Sequence, residues 1–467
     1  MRSHIRAVRD EKGVALPLAL FALLMLTGLL AAFLTMSGME PSIAANLNDV
    51  VRARYVAEAG VEWAFDQLVL NVNWNGVLAT NGGVMASGQT LPGFTPEFGT
   101  YAAQIRNDNQ NGDPALTGLP LDGGAVGGNP ATDTNGAVIL TASGTYGGVT
   151  RQIQVVVRRV PIPPFGGAYT MPGVQVDWLA TNTNFNSDGR DYLCATNCTN
   201  TDFAQRTYGL APNQAKMKYG IAVQPGSQQN SNPQITYEAR VEQGLNSATK
   251  RSNVIGKDQT NPSDTTTGYN TVAPDSGANP AVMQSFLDAL ASFSQTTVLQ
   301  STMACPMVLT GNLTGTYTST PTLTNGCGVN QVMDLGTRQN PKLVYLRGEL
   351  DPTSTFTGLR TLNNIQGSGI LVIEDGDLRT RGNLQWDGIV IVTGRYVSSI
   401  FDTGSNTTIF GATVSNETVW NEGGNQNQTP YYDGWFGASA VNLRYSQEAI
   451  DLVQRKLLFR MSTWREL

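Results

Sequence analysis

Histidine is nearly absent: the 467 residues contain one, His4. Ser-His-Asp and Cys-His catalytic sets, and metal sites built on several imidazoles, therefore have no donors beyond that single ring. Charge is also scarce, at 14% of residues, and 30 Lys and Arg against 36 Asp and Glu leave a net charge of -6. That balance, with no basic stripe along the chain, gives no electrostatic footing for nucleic acid. Hydrolysis by paired carboxylates of the glycosidase kind stays open. The expectation is a protein that is not an enzyme. Abundant instead are glycine, with 50 residues, and Asn and Thr, which favour β-structure with many turns. The length suits two to three domains.

One long apolar run stands out. Val14 to Met36 holds 23 residues without a charge, spanning roughly 34 Å as a helix, enough to cross a bilayer core. Arg2, Arg6, Arg9 and Lys12 all precede it, which orients the N-terminus to the cytoplasm and the bulk of the chain outside. A cleavable secretory signal would have a shorter apolar region followed by a small-residue cleavage site. Here the run leads into a polar, helical segment.

The residues Glu11-Lys12-Gly13 followed by VALPLAL resemble a type IV prepilin leader. The stretch Ala45 to Phe65, with its Ala57-Glu58-Ala59-Gly60 segment, resembles the helix of PilX-type minor pilins. Ala142 to Arg159 and the closing Ser462 to Glu466 look like parts of large pilin-like proteins, with the GspK-like pseudopilins as relatives. The resemblance implies cleavage by a prepilin peptidase after Gly13, leaving Val14 as the new N-terminus and removing His4. Main pilins carry Glu at the fifth mature position, where this chain has Leu18; that departure implies a rare subunit at or near a filament tip. The implied partners are other pilins and minor pilins, the inner-membrane assembly platform and the peptidase. The implied function is priming of pilus assembly, adhesion through a surface glycan or host ligand, or both. A type II secretion minor pseudopilin and a membrane-tethered glycan-binding β-helix protein are the alternatives.

The expected fold is α+β: a long N-terminal transmembrane and pilin helix (14–72) on a small antiparallel sheet (73–160), then a large β-rich domain. Pro41 removes a hydrogen bond, so a kink is expected near Gly38 to Pro41. Ile43, Leu47 and Val51, then Val61, Phe65 and Leu68, recur at helical spacing and are expected to face the sheet. Arg54 and Glu58 stand one turn apart. Thr100–Ile105, Ala137–Thr141 and Thr150–Arg158 read as strands, the last after a Gly147-Gly148 hairpin turn. Asn107, Asn109, Asn111 and Asp113 fall near EF-hand spacing, although position twelve is Gly118 rather than the closing Glu. They form a candidate calcium loop, beside the bland reading of a solvated Asn/Asp-Gly turn.

Residues 161–167 (PIPPFGG) read as a stiff linker. An Asn/Thr-rich loop and β region follows over 168–300, with a short helix expected at Ala278 to Ser294. The four cysteines, Cys194, Cys198, Cys305 and Cys327, lie on the exported side. They are most simply paired as Cys194–Cys198 and Cys305–Cys327, though three pairings exist and a four-thiolate zinc site competes. Between Lys342 and Ser415 short strands recur, and Ile370, Ile389 and a position near Thr408 suggest a coil of about nineteen residues. A short β-helix over 301–442 is preferred to an antiparallel meander. Asp375, Asp377, Arg379, Arg381 and Asp387 are expected on its outside as a candidate ligand surface. A helix from about Ser446 to Arg460, within a closing segment of 443–467, is expected to cap the open end of the solenoid.

Overall fold

The computed structural model describes residues 15–71, 74–227, 235–259, 271–277, 279–292, 298–349, 357–395, 397, 399–402, 404, 406–419, 434–437 and 440–467. The chain forms two compact units, one of residues 1–158 with 460–467 and the other of residues 159–459. Each is a separate body with its own core. The class is α+β: a long N-terminal helix, an antiparallel sheet packed against it, and a large β-rich domain.

In the first unit one α-helix runs from Ala15 to Leu70, 56 residues or about 84 Å. It continues through Pro41 as one helical element, where the missing N–H leaves the Ser37 carbonyl without its helical partner. Packing begins at Ala53, and the buried face is Ala53, Val56, Ala57, Gly60, Val61, Ala64 and Leu68. Ile43, Leu47 and Val51 are exposed, contrary to the expectation that they face the sheet. These three residues come before the packed stretch, which starts at Ala53. The sheet comes so close that Gly144 has no room for a side chain, a Cβ there colliding with the backbone of Ala53, Val56 and Ala57.

The sheet has five strands in the order Val84–Thr90, Thr100–Asn107, Ala137–Tyr146, Val149–Arg159 and Phe459–Glu466. The first four pair antiparallel. Tyr146 pairs with Val149 across Gly147 and Gly148, whose φ of 57° and 80° make the tight turn suited to strand twist. The last strand lies beside Val149–Arg159, and the Leu467 N–H donates to the Gln152 carbonyl at 2.9 Å. The second unit is therefore inserted, in sequence, between two neighbouring strands of this sheet.

The second unit is a stack of parallel coils with three faces. Along the first face, strands at 298–300, 342–347, 369–374, 388–394, 411–417, 167–171, 219–223 and 272–274 pair in that order, each parallel to the next. The stack is thus closed in its middle, where Thr413 and Val414 pair with Tyr169 and Thr170. The solenoid begins at residue 167, well before 301. Its early coils carry long insertions, so no period is visible there. Ile370 pairs with Ile389, nineteen residues on, but Ile389 pairs with Ala412 rather than with a residue near Thr408. The offset grows from nineteen to twenty-one at Leu378↔Ser399 and to twenty-three at Leu384↔Thr407, so each of two corners holds two extra residues.

Side chains alternate across the coil wall. Leu371, Ile373, Val390, Val392, Leu378 and Trp386 point inward, while Ile370, Val372, Ile389, Ile391, Ala412 and Val414 point outward. Gly369, Gly388 and Gly411 stack at one corner with φ of 133°, 131° and 139°. A Cβ on Gly388 would strike the Gly369 carbonyl, and one on Gly411 the Gly388 carbonyl.

A helix at Pro280–Ala291, N-capped by Asn279, whose side chain accepts from the Val282 N–H at 3.0 Å, straps the first face. The connection it belongs to must return along seven strand spacings, about 34 Å, of which a 12-residue helix spans about 18 Å. Its Met283, Phe286, Leu287 and Leu290 cover the outward aliphatic residues. The helix Gln447–Leu457 covers the same face through Ile450 and Val453. It is therefore a flank, not an end cap, and the residues after it form the strand Phe459–Glu466. The ends are closed elsewhere. Tyr237 and Val241 of the helix Tyr237–Gly244 join the inner core at the 272–274 end, and Leu323 and Leu335 do so in and after the antiparallel strands Met307–Thr310, Thr322–Thr324 and Asn330–Val332.

Candidate functional site

Every residue from Ala15 to Asn48 is exposed. Leu16, Phe21, Phe33 and Met36 are between 62 and 76% exposed, so this half of the helix has no partner within the described residues. It is long and apolar enough to cross a membrane. Gly13 and Val14, the expected processing site, lie outside the described residues.

The Asn/Asp loop of the first unit closes on itself instead of converging on an ion. The Asn107 amide donates to Asp122 at 2.8 Å and to the Asn129 and Thr132 carbonyls at 3.0 and 2.7 Å. Asn109 donates to the Gly128 carbonyl at 2.6 Å, and Asn111 is exposed. Asp113 takes both terminal nitrogens of Arg106 at 2.7 Å; burial raises its pKa, but the Arg106 hydrogen bonds and the Gln110 N–H outweigh that and hold it low. Asn107, Asn109 and Asp113 are thus turned to separate partners, two through amide nitrogens and one through an arginine, while Asn111 faces outward. Among the described residues no group of three or more His, Cys, Asp or Glu is placed to hold a metal ion. Asp108 is buried beside Asp122 and Asp133, and its pKa is pushed up to about 6 by burial and those charges, against the Asn135 amide that hydrogen-bonds it.

The five expected surface residues of the solenoid do not form one surface. Asp375 turns between the first and second faces with φ of 54°, and Asp377 is buried at the start of the second face. Arg379 stands on the second face and bonds Asp402 at 2.9 and 3.1 Å, and Arg381 is exposed beside it. Asp387 lies on the third face and is fully buried. It is not a ligand residue, since a disulfide-stapled hairpin covers it.

That hairpin comprises Tyr192–Thr196 and Thr207–Leu210, with Cys194 bonded to Cys198. Asp387 accepts a short hydrogen bond from Arg206 and another from the Tyr208 hydroxyl at 2.5 Å, and Arg338 stands 3.9 Å away. Arg338 also pairs with Glu448 at 2.6 Å, and Glu448 accepts the Cys194 N–H at 2.8 Å. Gln366 accepts the Phe203 N–H at 2.7 Å and donates to the Thr201 carbonyl at 3.1 Å. Tyr208 stacks on Phe410 with ring centroids 3.7 Å apart. Burial pushes the Asp387 pKa up to about 6 although Arg206 and Arg338 oppose it, and burial and Asp387 together raise that of Tyr208. Asp387, Arg206 and Arg338 are buried, and the cluster clamps the hairpin to the coil wall. Arg206, Tyr208, Arg338 and Glu448 are up to 242 positions apart in the chain, so no spacing in the sequence could have joined them. At the 307–310 end the second disulfide joins Cys305 to Cys327.

No family model matches this chain, and no curated protein does. Among solved structures, the crystal structure of the competence-associated pilin ComZ from Thermus thermophilus is similar at 12% identity, over 89% of this chain and 97% of that one, with a TM-score of 0.23. A score that low does not establish a common fold.

Proposed function

We propose that the chain is a minor pilin-like subunit of a type IV pilus, anchored in the inner membrane and then incorporated near the filament tip, where it primes assembly, mediates adhesion, or both. The observation that carries this reading is the 34-residue exposed stretch of helix, Ala15 to Asn48, which its own sheet leaves uncovered. Lipid covers such a surface before assembly and neighbouring helices cover it afterwards. The Lys12-Gly13 leader and the small-residue packing of Ala53, Ala57 and Gly60 support the same reading. A solenoid of eight stacked strand positions is too bulky to repeat along a shaft, which favours the tip. The chain then acts through assembly and binding rather than catalysis, with other pilins, the assembly platform and the prepilin peptidase as partners. Gold labelling of a tag in the second unit on sheared filaments tests this: label at filament ends is expected, and label along the shaft, or none on filaments, would overturn it.

A further inference from the structure

Two of the three coil faces are covered. The first lies beneath the helices Pro280–Ala291 and Gln447–Leu457, and the third beneath the hairpin that stacks on Phe410. The second face is built from strands at 307–310, 357–362, 377–381, 399–401, 434–436 and 178–180. None of its outward residues belongs to either covering cluster. One in-register row across it reads Val308, Arg360, Arg379, Ile400, and Leu179 lies further along the same wall. Arg381 stands two residues beyond Arg379 on the same side, opposite Leu362.

Arg360 and Arg379 are therefore direct neighbours about 4.8 Å apart on adjacent strands, an arrangement that disfavours the folded state unless anions sit between them. Asp402 compensates Arg379. Asp377 is buried at the start of the strand. Arg360 is half-buried with its Nε closed off from water and without a hydrogen-bond partner, and Arg381 makes no ion pair with a described residue. Among the described residues these two guanidinium groups thus have no carboxylate partner, on a wall that also carries Val308, Leu362 and Ile400.

We propose that this face binds a carboxylated polysaccharide, with Arg360 and Arg381 each gripping a carboxylate and Val308, Leu362 and Ile400 lying under the sugar rings. Guanidinium forks match carboxylates in two parallel hydrogen bonds. Nucleic acid fits less well: duplex DNA carries a charge about every 1.7 Å, far denser than two free arginines can neutralise on a chain of net charge -6. The proposal does not depend on filament assembly, since detergent-solubilised full-length chain carries the face.

The test is binding of fluorescent oligogalacturonate to that full-length chain, with its methyl-esterified form and single-stranded DNA as competitors. Arg360→Ala with Arg381→Ala should weaken binding at least about tenfold, while the methyl ester should not compete. Arg360→Lys with Arg381→Lys keeps the charge but loses the fork and should fall between. Unchanged thermal melting of both variants would show that they fold. No binding by the native chain, equal binding by the double alanine variant, or equal competition by DNA would each overturn the proposal.

Discussion

Asp387 shows how a single buried carboxylate organises a whole segment. It holds Arg206 and Tyr208 of the disulfide hairpin and faces Arg338. Asp387→Ala would leave two buried guanidinium groups without their shared partner, and removing one member of a buried pair costs about 3–5 kcal/mol. We expect that loss in the denaturant midpoint, together with faster proteolysis between Thr196 and Thr207. Asp108 gives the pH dependence. Its pKa is about 6 in the folded chain against 3.8 for the free side chain, so the folded state binds the proton more tightly. The stability it contributes is therefore present at low pH and is lost as the pH rises from about 4 through about 6. Asp387 has the same sign, so wild type and Asp108→Asn must be compared: the variant should lose less stability between pH 4.5 and pH 7. An equal or larger loss would contradict the assignment. The sequence offered Asp387 as an outward-facing ligand residue, and neither aspartate's partners were legible in it. Asp387 sits in an alternating strand, where outward position is legible, but a hairpin from nearly two hundred residues earlier covers it. Asp108 sits among amides whose donor ends, invisible in a spacing pattern, face the oxygens that calcium would have needed.

Among the elements, corners and close approaches carry the specificity. Gly369, Gly388 and Gly411 form one ladder in a backbone conformation that side chains disfavour. Gly388→Ala should cost about 2–5 kcal/mol, combining backbone strain with overpacking against the Gly369 carbonyl. Gly144→Val should separate the N-terminal helix from its sheet with a penalty of similar size, read as a lower melting temperature of the first unit. On the strap helix, Leu290→Ala removes a fully buried side chain and should cost about 2–5 kcal/mol. The alternation of Leu371, Ile373, Val390 and Val392 was readable because parallel stacking repeats it coil by coil. The coils at 167–188 and 219–274 were not, since the hairpin and a helical cap interrupt them and erase the period. The final helix was legible as amphipathic; which surface it covers depends on the stack being closed in its middle, a property no local pattern encodes.

At the scale of the molecule, the solenoid is an insertion between two adjacent strands of a small helix-backed sheet. Its two chain ends meet, the Val160 N–H donating to the Leu458 carbonyl at 3.0 Å. Such an arrangement lets a large domain be added without interrupting, in sequence, the long apolar helix of the first unit. The long exposed apolar helix is the feature the sequence announced most plainly, because an uncharged run of 23 residues has few stable alternatives. The central claim is that this helix enters a filament after processing. The measurement that tests it most directly is the N-terminal residue of the mature protein, by mass spectrometry of the membrane fraction and of sheared filaments. The account predicts a chain beginning at Val14 in the sheared material. A chain beginning at Met1 and confined to the membrane would contradict it.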